Sequence, residues 1–427
     1  MTPNPIDDRG TGTREGGDGK PGAISRRGFL GGAAGALAAA TLSTRAQAAD
    51  SPAKRLTAGT RILEVNGRPA RVFGLMGPNG RPGLHLAVGE RFRIDLANET
   101  GEPTIVHWHG QLPPWMQDGF PWRQTPPIPN GAVASYDYAP ISGTYWMHSH
   151  HGMQEQRLLT APLIVDDAAS FHEDRQDVVL MLHDFSFRTP DELLASVTGM
   201  SVADAHRLAQ GSADEGPSMA AQDKPGMAMP GMSMSKATAP AMQGMGAMQM
   251  STQGHKMAAM DLNDIQFDAF LANDRTLADP EIVRVDHGGR VRLRVINGAS
   301  SSQFWIDLGE LTGLVVATDG HDVQPVPGKL FPIAMAQRLD ILIDLPATGA
   351  FPILARLEGS VRQTGIILAA SGAPISRIAD AGAQAAPPVD NSLEARLAAA
   401  APLPARRADV VHTVALAGAM KPYAWSM

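Results

Sequence analysis

The stretch "GTYWMHSHHG", from Gly143 to Gly152, places three histidines within four residues of a segment that otherwise has the composition of a β-strand. Residues two apart in a strand point to the same face, so His148 and His150 share one face. A second pair with the same spacing, His107 and His109, occurs in "TIVHWHG". The sequence therefore predicts two strands that each present two imidazoles on one side.

The segments around these pairs alternate between charged and apolar residues. Between about residues 61 and 165, short runs such as "RFRIDLAN" are separated by Gly, Pro and Asn. This pattern is typical of a β-sandwich or a β-barrel. The same texture returns from about residue 264 to residue 371, for example in "RVRLRVING". We therefore predict two copies of one β domain.

The second copy keeps the strand pattern without the histidines. Aligning "GERFRIDLAN" with "GGRVRLRVIN" sets His107 opposite Ile306, and aligning "GTYWMHSH" with "GAFPILAR" sets His148 opposite Leu354. Because apolar residues serve at three of the four aligned positions in the second copy, with Arg356 opposite His150, the histidines of the first copy are interpreted as chemical rather than structural. Trp146 is predicted to pack in the core, on the opposite face of its strand.

Composition excludes several classes of function. The 427 residues carry a formal net charge of −7 and contain no dense cluster of Lys and Arg, which argues against nucleic acid or an anionic membrane as a partner. The chain contains no cysteine. This absence excludes disulfides, cysteine-ligated zinc, iron–sulfur clusters and the His₂Cys blue-copper site within these residues.

Residues 1–48 are predicted to be a twin-arginine export signal. Arg26 and Arg27 precede a mildly apolar stretch that ends in a small-residue cleavage site at Ala46 to Ala48. The apolar run is too short for a stable membrane span, which needs about 20 residues. We therefore expect the mature protein in the periplasm or outside the cell.

Residues 200–262 form a low-complexity segment that is rich in methionine. Eleven of the 21 methionines lie between Met219 and Met260. The high content of Gly, Pro, Ala and Ser predicts a disordered insertion that cannot bury a core. Thioether ligands select Cu(I), so weak binding of Cu(I) by this segment is a further expectation.

The histidine pairs indicate a metal cluster. Histidines two apart lie about 6.6 Å apart along a strand, and this spacing suits two adjacent metal ions better than a single one. Imidazole ligands suit Cu, Zn, Fe or Ni and disfavour Ca and Mg. The methionine-rich segment favours copper among these metals.

The motifs "TIVHWHG", "QDGFPW" and "GTYWMHSHHG" resemble the first domain of multicopper oxidases of the laccase and bacterial copper-resistance branch, and residues 267–345 resemble the second domain. The resemblance implies an all-β fold of tandem cupredoxin-like Greek-key β-sandwiches. The two cupredoxin-like domains are predicted at residues 55–170 and 263–372. A linker is predicted at residues 373–408, and the start of a third domain at residues 409–427. The second domain is expected to hold no copper ligands.

The resemblance also implies roles for individual residues. His107 matches the type 2 copper ligand of the family, while His109, His148 and His150 match ligands of the type 3 pair. Asp118 matches the acidic residue that assists proton delivery during O₂ reduction. The family's third domain provides the other ligands of the trinuclear cluster and the cysteine of type 1 copper. We therefore expect a truncated chain that holds half of the cluster's ligands, lacks the type 1 site and is inactive alone.

The expected function is oxidation of a small molecule or of Cu(I), one electron at a time, coupled to reduction of O₂ to water. One alternative is a periplasmic protein of copper binding or copper tolerance that has no turnover. Another is a structural protein of the cell envelope on the same fold. Because all four histidines of the first copy are retained, the structural alternative is disfavoured.

Overall fold

The protein is described here by a computed structural model. The described residues are 52–121, 124–168, 173–214, 262–286, 289–420 and 423–426. From Ala53 onwards they belong to one compact unit that ends at Met427. The predicted export signal at residues 1–48 lies outside the described residues, as do residues 215–261 of the methionine-rich segment.

The first half of the unit is a sandwich of two four-stranded sheets. Its strands are β1 (Lys54–Val65), β2 (Arg68–Met76), β3 (Leu84–Leu86), β4 (Phe92–Glu99), β5 (Val106–His109), β6 (Val133–Tyr138), β7 (Gly143–Ser149) and β8 (Thr160–Val165). One sheet has the order β2-β1-β4-β6 and the other the order β3-β8-β7-β5. Phe92, Trp108, Tyr145 and Met147 are buried between the sheets. The alternation of charged and apolar residues in the sequence thus corresponds to side chains that point alternately to the outer face and to the core.

The second half is a larger sandwich of six and five strands. Its strands are β9 (Gln176–Phe185), β10 (Ala269–Ala272), β11 (Ile282–Val285), β12 (Arg290–Asn297), β13 (Phe304–Asp307), β14 (Gly313–Thr318), β15 (His321–Gly328), β16 (Leu330–Ile333), β17 (Arg338–Asp344), β18 (Ala350–Leu357) and β19 (Gln363–Ala370). The sheet orders are β10-β9-β12-β17-β14-β15 and β11-β19-β18-β13-β16.

The two sandwiches repeat one pattern of strand pairing. In the first, β1 pairs with β2 in antiparallel and with β4 in parallel orientation; in the second, β9 does the same with β10 and β12. The parallel pair β3 and β8 recurs as β11 and β19. Strands that change sheets along the chain produce this topology, which confirms the predicted all-β tandem sandwiches.

The pairing of β9 corrects the predicted start of the second domain. Because β9 lies in the second sandwich, that sandwich begins at Gln176 rather than at residue 263. The strand "QDVVLMLHDF" escaped recognition because a long segment separates it from its partner β10 in sequence. In the sequence, the methionine-rich segment therefore falls between two paired strands of the second sandwich, β9 and β10.

Two helices follow β9. Helix α1 (Pro190–Thr198) begins with a capping box between Thr189 and Glu192 and ends at Gly199. Helix α2 (Val202–Asp214) covers the start of the predicted disordered segment, so the prediction is wrong for those residues. No helix among the described residues is long and apolar enough to cross a membrane.

Towards the end of the described chain, Glu394–Arg396 forms a 3-10 turn, and β20 (Ala417–Met420) pairs with β21 (Tyr423–Ser426) in a hairpin. This hairpin lies within the range predicted to begin a third domain. That assignment stays a prediction.

A buried polar network joins the two sandwiches. Asp340 of β17 accepts hydrogen bonds from Thr144 of β7 at 2.6 Å and from Arg292 and Arg294 at 3.1 Å each. Arg294 also donates to the Thr144 hydroxyl at 2.9 Å and to Asp177 at 2.7 Å. Because Thr144 lies on the strand that carries His148, the network fixes β7 against the second sandwich.

Candidate metal centre

Two neighbouring strands of the first sandwich bring the four predicted histidines together. In the antiparallel pairing of β5 with β7, His107 lies opposite His148 and His109 lies opposite Trp146. His150 follows the end of β7, and its backbone N–H donates to the carbonyl of Ile105 at 3.1 Å. All four rings lie on the face of the sheet opposite the core residues Trp108 and Met147.

The four imidazoles form two overlapping groups. Nitrogen atoms of His107, His148 and His150 lie within 4.8 Å of one another. His109 joins through His148, because its Nδ1 lies 3.2 Å from the Nε2 of that residue. Each group therefore contains histidines from both strands. The spacing in the sequence instead pairs the two histidines of the same strand.

Asp118 lies beside the ring of His107. The Nδ1 of His107 is 2.8 Å from the backbone carbonyl of Asp118 and 3.5 Å from its carboxylate. The turn fits here because Gly119, at φ +73°, has no side chain; a Cβ there would lie 1.8 Å from the carbonyl of Val106. Asp118 therefore orients His107 through its backbone and holds a carboxylate near the ring.

Two further side chains, which the sequence analysis missed or misplaced, contact His148. The carboxylate of Glu155 lies 2.7 Å from the Nδ1 of His148. The indole ring of Trp146 stacks on the imidazole with 4.2 Å between ring centroids and 13° between planes. Trp146 is buried as predicted, but the predicted face is wrong. It lies on the same face as His148 and packs against Met181 and Ile296 of the second sandwich. Its spacing of two from His148 is the signal that indicates a shared face.

The corresponding strands of the second sandwich, β13 and β18, carry no histidine. Ile306 packs in the core, so the alignment of Ile306 with His107, which faces away from its core, is wrong. The loops before β5 and β13 differ in length, which shifts the register. On the outer face Asp307 forms an ion pair with Arg356 at 3.3 Å. The second copy thus has a structural ion pair where the first has imidazoles.

Burial favours the neutral form of His107, His109 and His150. It lowers the pKa of His107, against the opposing influence of the Asp118 carbonyl. Burial, followed by the charges of Arg338 and of neighbouring histidines, lowers the pKa of His109 to about 3. Burial and the neighbouring His148 and His107 lower the pKa of His150 to about 3. Neutral imidazole is the form that binds metal ions.

These shifts predict that the metal-free protein loses stability on acidification. The pKa values of His109 and His150 fall from 6.5 to about 3 on folding, so the unfolded chain takes up protons that the folded chain does not. This contribution to stability is complete above pH 6.5 and is lost as the pH falls towards 3. Between pH 7 and pH 5 we expect a loss of about 1 kcal/mol per ring, below the linkage limit because the rings are partly exposed.

Urea denaturation of the metal-free chain at pH 7 and pH 5 measures this loss. The variant His109→Gln/His150→Gln should show a smaller loss than the wild type. His85→Gln is the matched control, because the side chain of His85 is 59% exposed and bonded to Asp166. Equal pH dependence in all three proteins would contradict the assignment of these shifts.

Both halves of the chain are similar to known proteins. Family models described as multicopper oxidase match residues 60–170 and residues 237–372. The chain belongs to the multicopper oxidase family. It is 29% identical to multicopper oxidase MmcO of Mycobacterium tuberculosis, over 79% of the chain and 64% of the relative. It is 28% identical to copper resistance protein A of Escherichia coli, over 73% of the chain and 48% of the relative.

Solved structures of multicopper oxidases share the fold. The structure of Fet3p, a multicopper oxidase that functions in iron import, matches with a TM-score of 0.53 and 17% identity, over 78% of this chain and 55% of that one. The multicopper oxidase mgLAC matches with a TM-score of 0.52 and 19% identity, over 75% of this chain and 87% of that one. The chain spans about half to two thirds of the length of the curated relatives named above.

The donor set fits the copper that the family implies. It consists of imidazoles with nitrogens close enough to share ions, and imidazole is a favoured ligand of copper. A copper site of the blue type does not fit these residues, because it needs a thiolate and the chain has no cysteine.

Proposed function

We propose that the chain forms the O₂-reducing part of a copper-dependent oxidoreductase of the multicopper oxidase family, in which His107, His109, His148 and His150 hold part of a trinuclear copper cluster. The reaction couples one-electron oxidation of a small molecule or of Cu(I) to reduction of O₂ to water. The observation that carries the proposal is the convergence of three imidazoles within 4.8 Å, with His109 beside them.

Copper bound by these histidines would supply the electron transfers of O₂ + 4 e⁻ + 4 H⁺ → 2 H₂O. The chain's own residues bind the metal and orient its ligands. His107 is held through Nδ1 by the Asp118 carbonyl, so its Nε2 is the nitrogen left for a metal. The carboxylate of Asp118, whose side chain is 31% exposed, is suited to carry protons between solvent and the edge of the site.

Electrons must enter this site from outside the residues of this chain. Type 1 copper passes electrons to the cluster through its cysteine in the family, and these 427 residues contain none. The proposal therefore assigns this chain the O₂-reducing half of the reaction. We propose no nucleic-acid partner for it.

The compartment and the methionine-rich segment complete the proposal. Arg26 and Arg27 support export to the periplasm or the cell exterior by the twin-arginine route. The eleven methionines between Met219 and Met260 support weak binding of Cu(I), because thioethers select this ion.

Copper loading of the 427-residue chain, followed by fusion to a single cupredoxin domain with a copper–cysteine site from a curated relative, tests the function. The chain alone should bind copper, lack the intense visible band of a copper–thiolate bond and give no sustained oxidation of phenols. The fusion should gain both the band and O₂ uptake. His148→Ala in the fusion should reduce O₂ uptake to background and leave the band intact.

His85→Ala in the same fusion is the control, and it should leave O₂ uptake unchanged. A fusion that has the visible band and full O₂ uptake with His148→Ala would refute the role of the histidines. A chain that oxidises phenols steadily without the added domain would refute the assignment of only half of the reaction.

A further inference from the structure

Glu155 is held in a rigid turn next to the histidines. The turn Glu155–Arg157 is a 3-10 helix that ends at Leu158, a buried residue with φ +66°. The backbone N–H groups of Leu158 and Leu159 donate to the carbonyls of Glu155 and Gln154 at 2.8 and 3.0 Å. Both ends of the Glu155 backbone are therefore fixed.

The preceding residue, Gln154, anchors this turn to the first sandwich. Its side chain is 1% exposed. The amide oxygen accepts from the hydroxyls of Thr104 and Ser149 at 2.6 and 2.7 Å, and the amide nitrogen donates to Glu102 and Pro103 at 2.8 Å each. A buried amide with all these bonds leaves little freedom to its neighbour Glu155.

The contact of Glu155 with His148 selects one form of the imidazole. A carboxylate oxygen only accepts hydrogen bonds, so the Nδ1 of His148, 2.7 Å away, is the nitrogen that carries hydrogen. A ring that carries hydrogen on Nδ1 alone has its lone pair on Nε2. This is the atom that lies 3.2 Å from the Nδ1 of His109.

His148 differs in this respect from its neighbour His107. The Nδ1 of His107 has a neutral carbonyl as its hydrogen-bond partner, and the Asp118 carboxylate is 3.5 Å away. The Nδ1 of His148 has a carboxylate as its partner, and the Trp146 ring stacks on the imidazole. An anionic partner on the far nitrogen makes an imidazole a stronger electron donor to a metal.

We propose that Glu155 is a positioning residue that fixes His148 as the Nδ1–H form and presents its Nε2 to the metal centre. The inference deepens the proposed function, because it takes His148 to be a metal ligand. It further implies that Glu155 favours the more highly charged Cu(II) over Cu(I) at the ion held by His148.

The first test uses the metal-free 427-residue chain labelled with ¹⁵N in its histidine rings. The His148 signals are those that disappear in His148→Gln. In the wild type they should show a protonated Nδ1 and a bare Nε2, whereas Glu155→Gln should give a mixture of both forms. Glu155→Asp, whose carboxylate is one methylene further away, should give the same mixture.

The second test is copper affinity, measured by competition with a chelator for Cu(I) and for Cu(II). Glu155→Gln should weaken binding about 10- to 100-fold, and more for Cu(II) than for Cu(I). Asp166→Asn is the matched control, because Asp166 contacts His85 at 2.8 Å in another His–carboxylate pair. It should change neither copper affinity nor the signals of His148.

The outcomes separate this inference from the proposed function. A wild-type His148 that carries its proton on Nε2, or a Glu155→Gln variant with unchanged ring signals and copper affinity, overturns the role of Glu155. If Glu155→Gln alters the ring signals, Glu155 controls the form of His148. If His148→Ala then leaves copper affinity unchanged, the metal site of the proposed function is overturned. The melting temperature of each variant shows whether it is folded. If Glu155→Gln is unfolded, the ring signals of Glu155→Asp and of the wild type test the role of Glu155 instead.

Discussion

Asp340→Ala should destabilise the protein by about 3–5 kcal/mol, one of the two largest effects we expect. The Asp340 side chain is 2% exposed and is paired with Arg292 and with Arg294, itself 2% exposed. Removing the carboxylate leaves two buried guanidinium groups without this partner and leaves the Thr144 hydroxyl without its acceptor. Breaking a buried ion pair on one side costs this much because the remaining charge stays desolvated.

The same strand offers a matched control for this prediction. Asp344 pairs with Arg175 at 2.8 Å, but its side chain is 71% exposed. Asp344→Ala should therefore change the free energy of unfolding by less than about 1 kcal/mol. Urea denaturation at pH 7 measures both variants. Similar small losses for the two substitutions would show that the network does not stabilise the contact between the sandwiches.

A combined variant distinguishes charge burial from lost packing. Arg294→Met/Asp340→Ala removes one of the two cations that bind Asp340 together with the carboxylate itself. We expect it to recover part of the stability lost in Asp340→Ala, since coupled neighbours are not additive. Additive losses would assign the cost of Asp340→Ala to packing alone.

The strand alternation and the histidine spacing predict the fold and the site, because both depend on a period of two residues. "RFRIDLAN" and "RVRLRVIN" end in Asn98 and Asn297, and both asparagines are fully buried. Each side-chain oxygen accepts the backbone N–H two residues later, in Thr100 and Ala299. A repeated local structure of this kind leaves a repeated sequence signal, so the tandem copies were recognisable.

Contacts between distant segments leave a weaker signal. The strand β9 pairs with β10 across an interval that contains two helices and residues 215–261, and a local pattern does not reveal its partner. Glu155 reaches His148 only because Gln154 and the left-handed Leu158 set the path of the turn. These features depend on tertiary hydrogen bonds, and a reading of strand periodicity does not contain them.

The other large effect concerns the order in which the histidines contribute to copper binding. His148 belongs both to the group with His107 and His150 within 4.8 Å and to the close contact with His109 at 3.2 Å. His148→Ala should therefore weaken copper binding by the 427-residue chain more than any other single substitution. We expect a loss of at least about 100-fold, since loss of an outer partner alone costs about 10- to 100-fold.

His109→Ala should have the smallest effect of the four, about 10-fold, because the other three imidazoles remain within 4.8 Å of one another. His206→Ala is a control: the side chain of His206 is 56% exposed and contacts Asp191 away from the group, so copper affinity should not change. Competition with a chelator, at a stoichiometry fixed by metal analysis, measures the series.

The order of these losses distinguishes two arrangements of the same residues. If each strand held its own ion through its pair, His107→Ala and His109→Ala would cause equal losses, and so would His148→Ala and His150→Ala. The pairing of β5 with β7 instead sets His107 against His148, so that the ligand groups cross between the strands and His148 is shared. Equal losses within each sequence pair would therefore contradict the crossed arrangement even if every histidine binds copper.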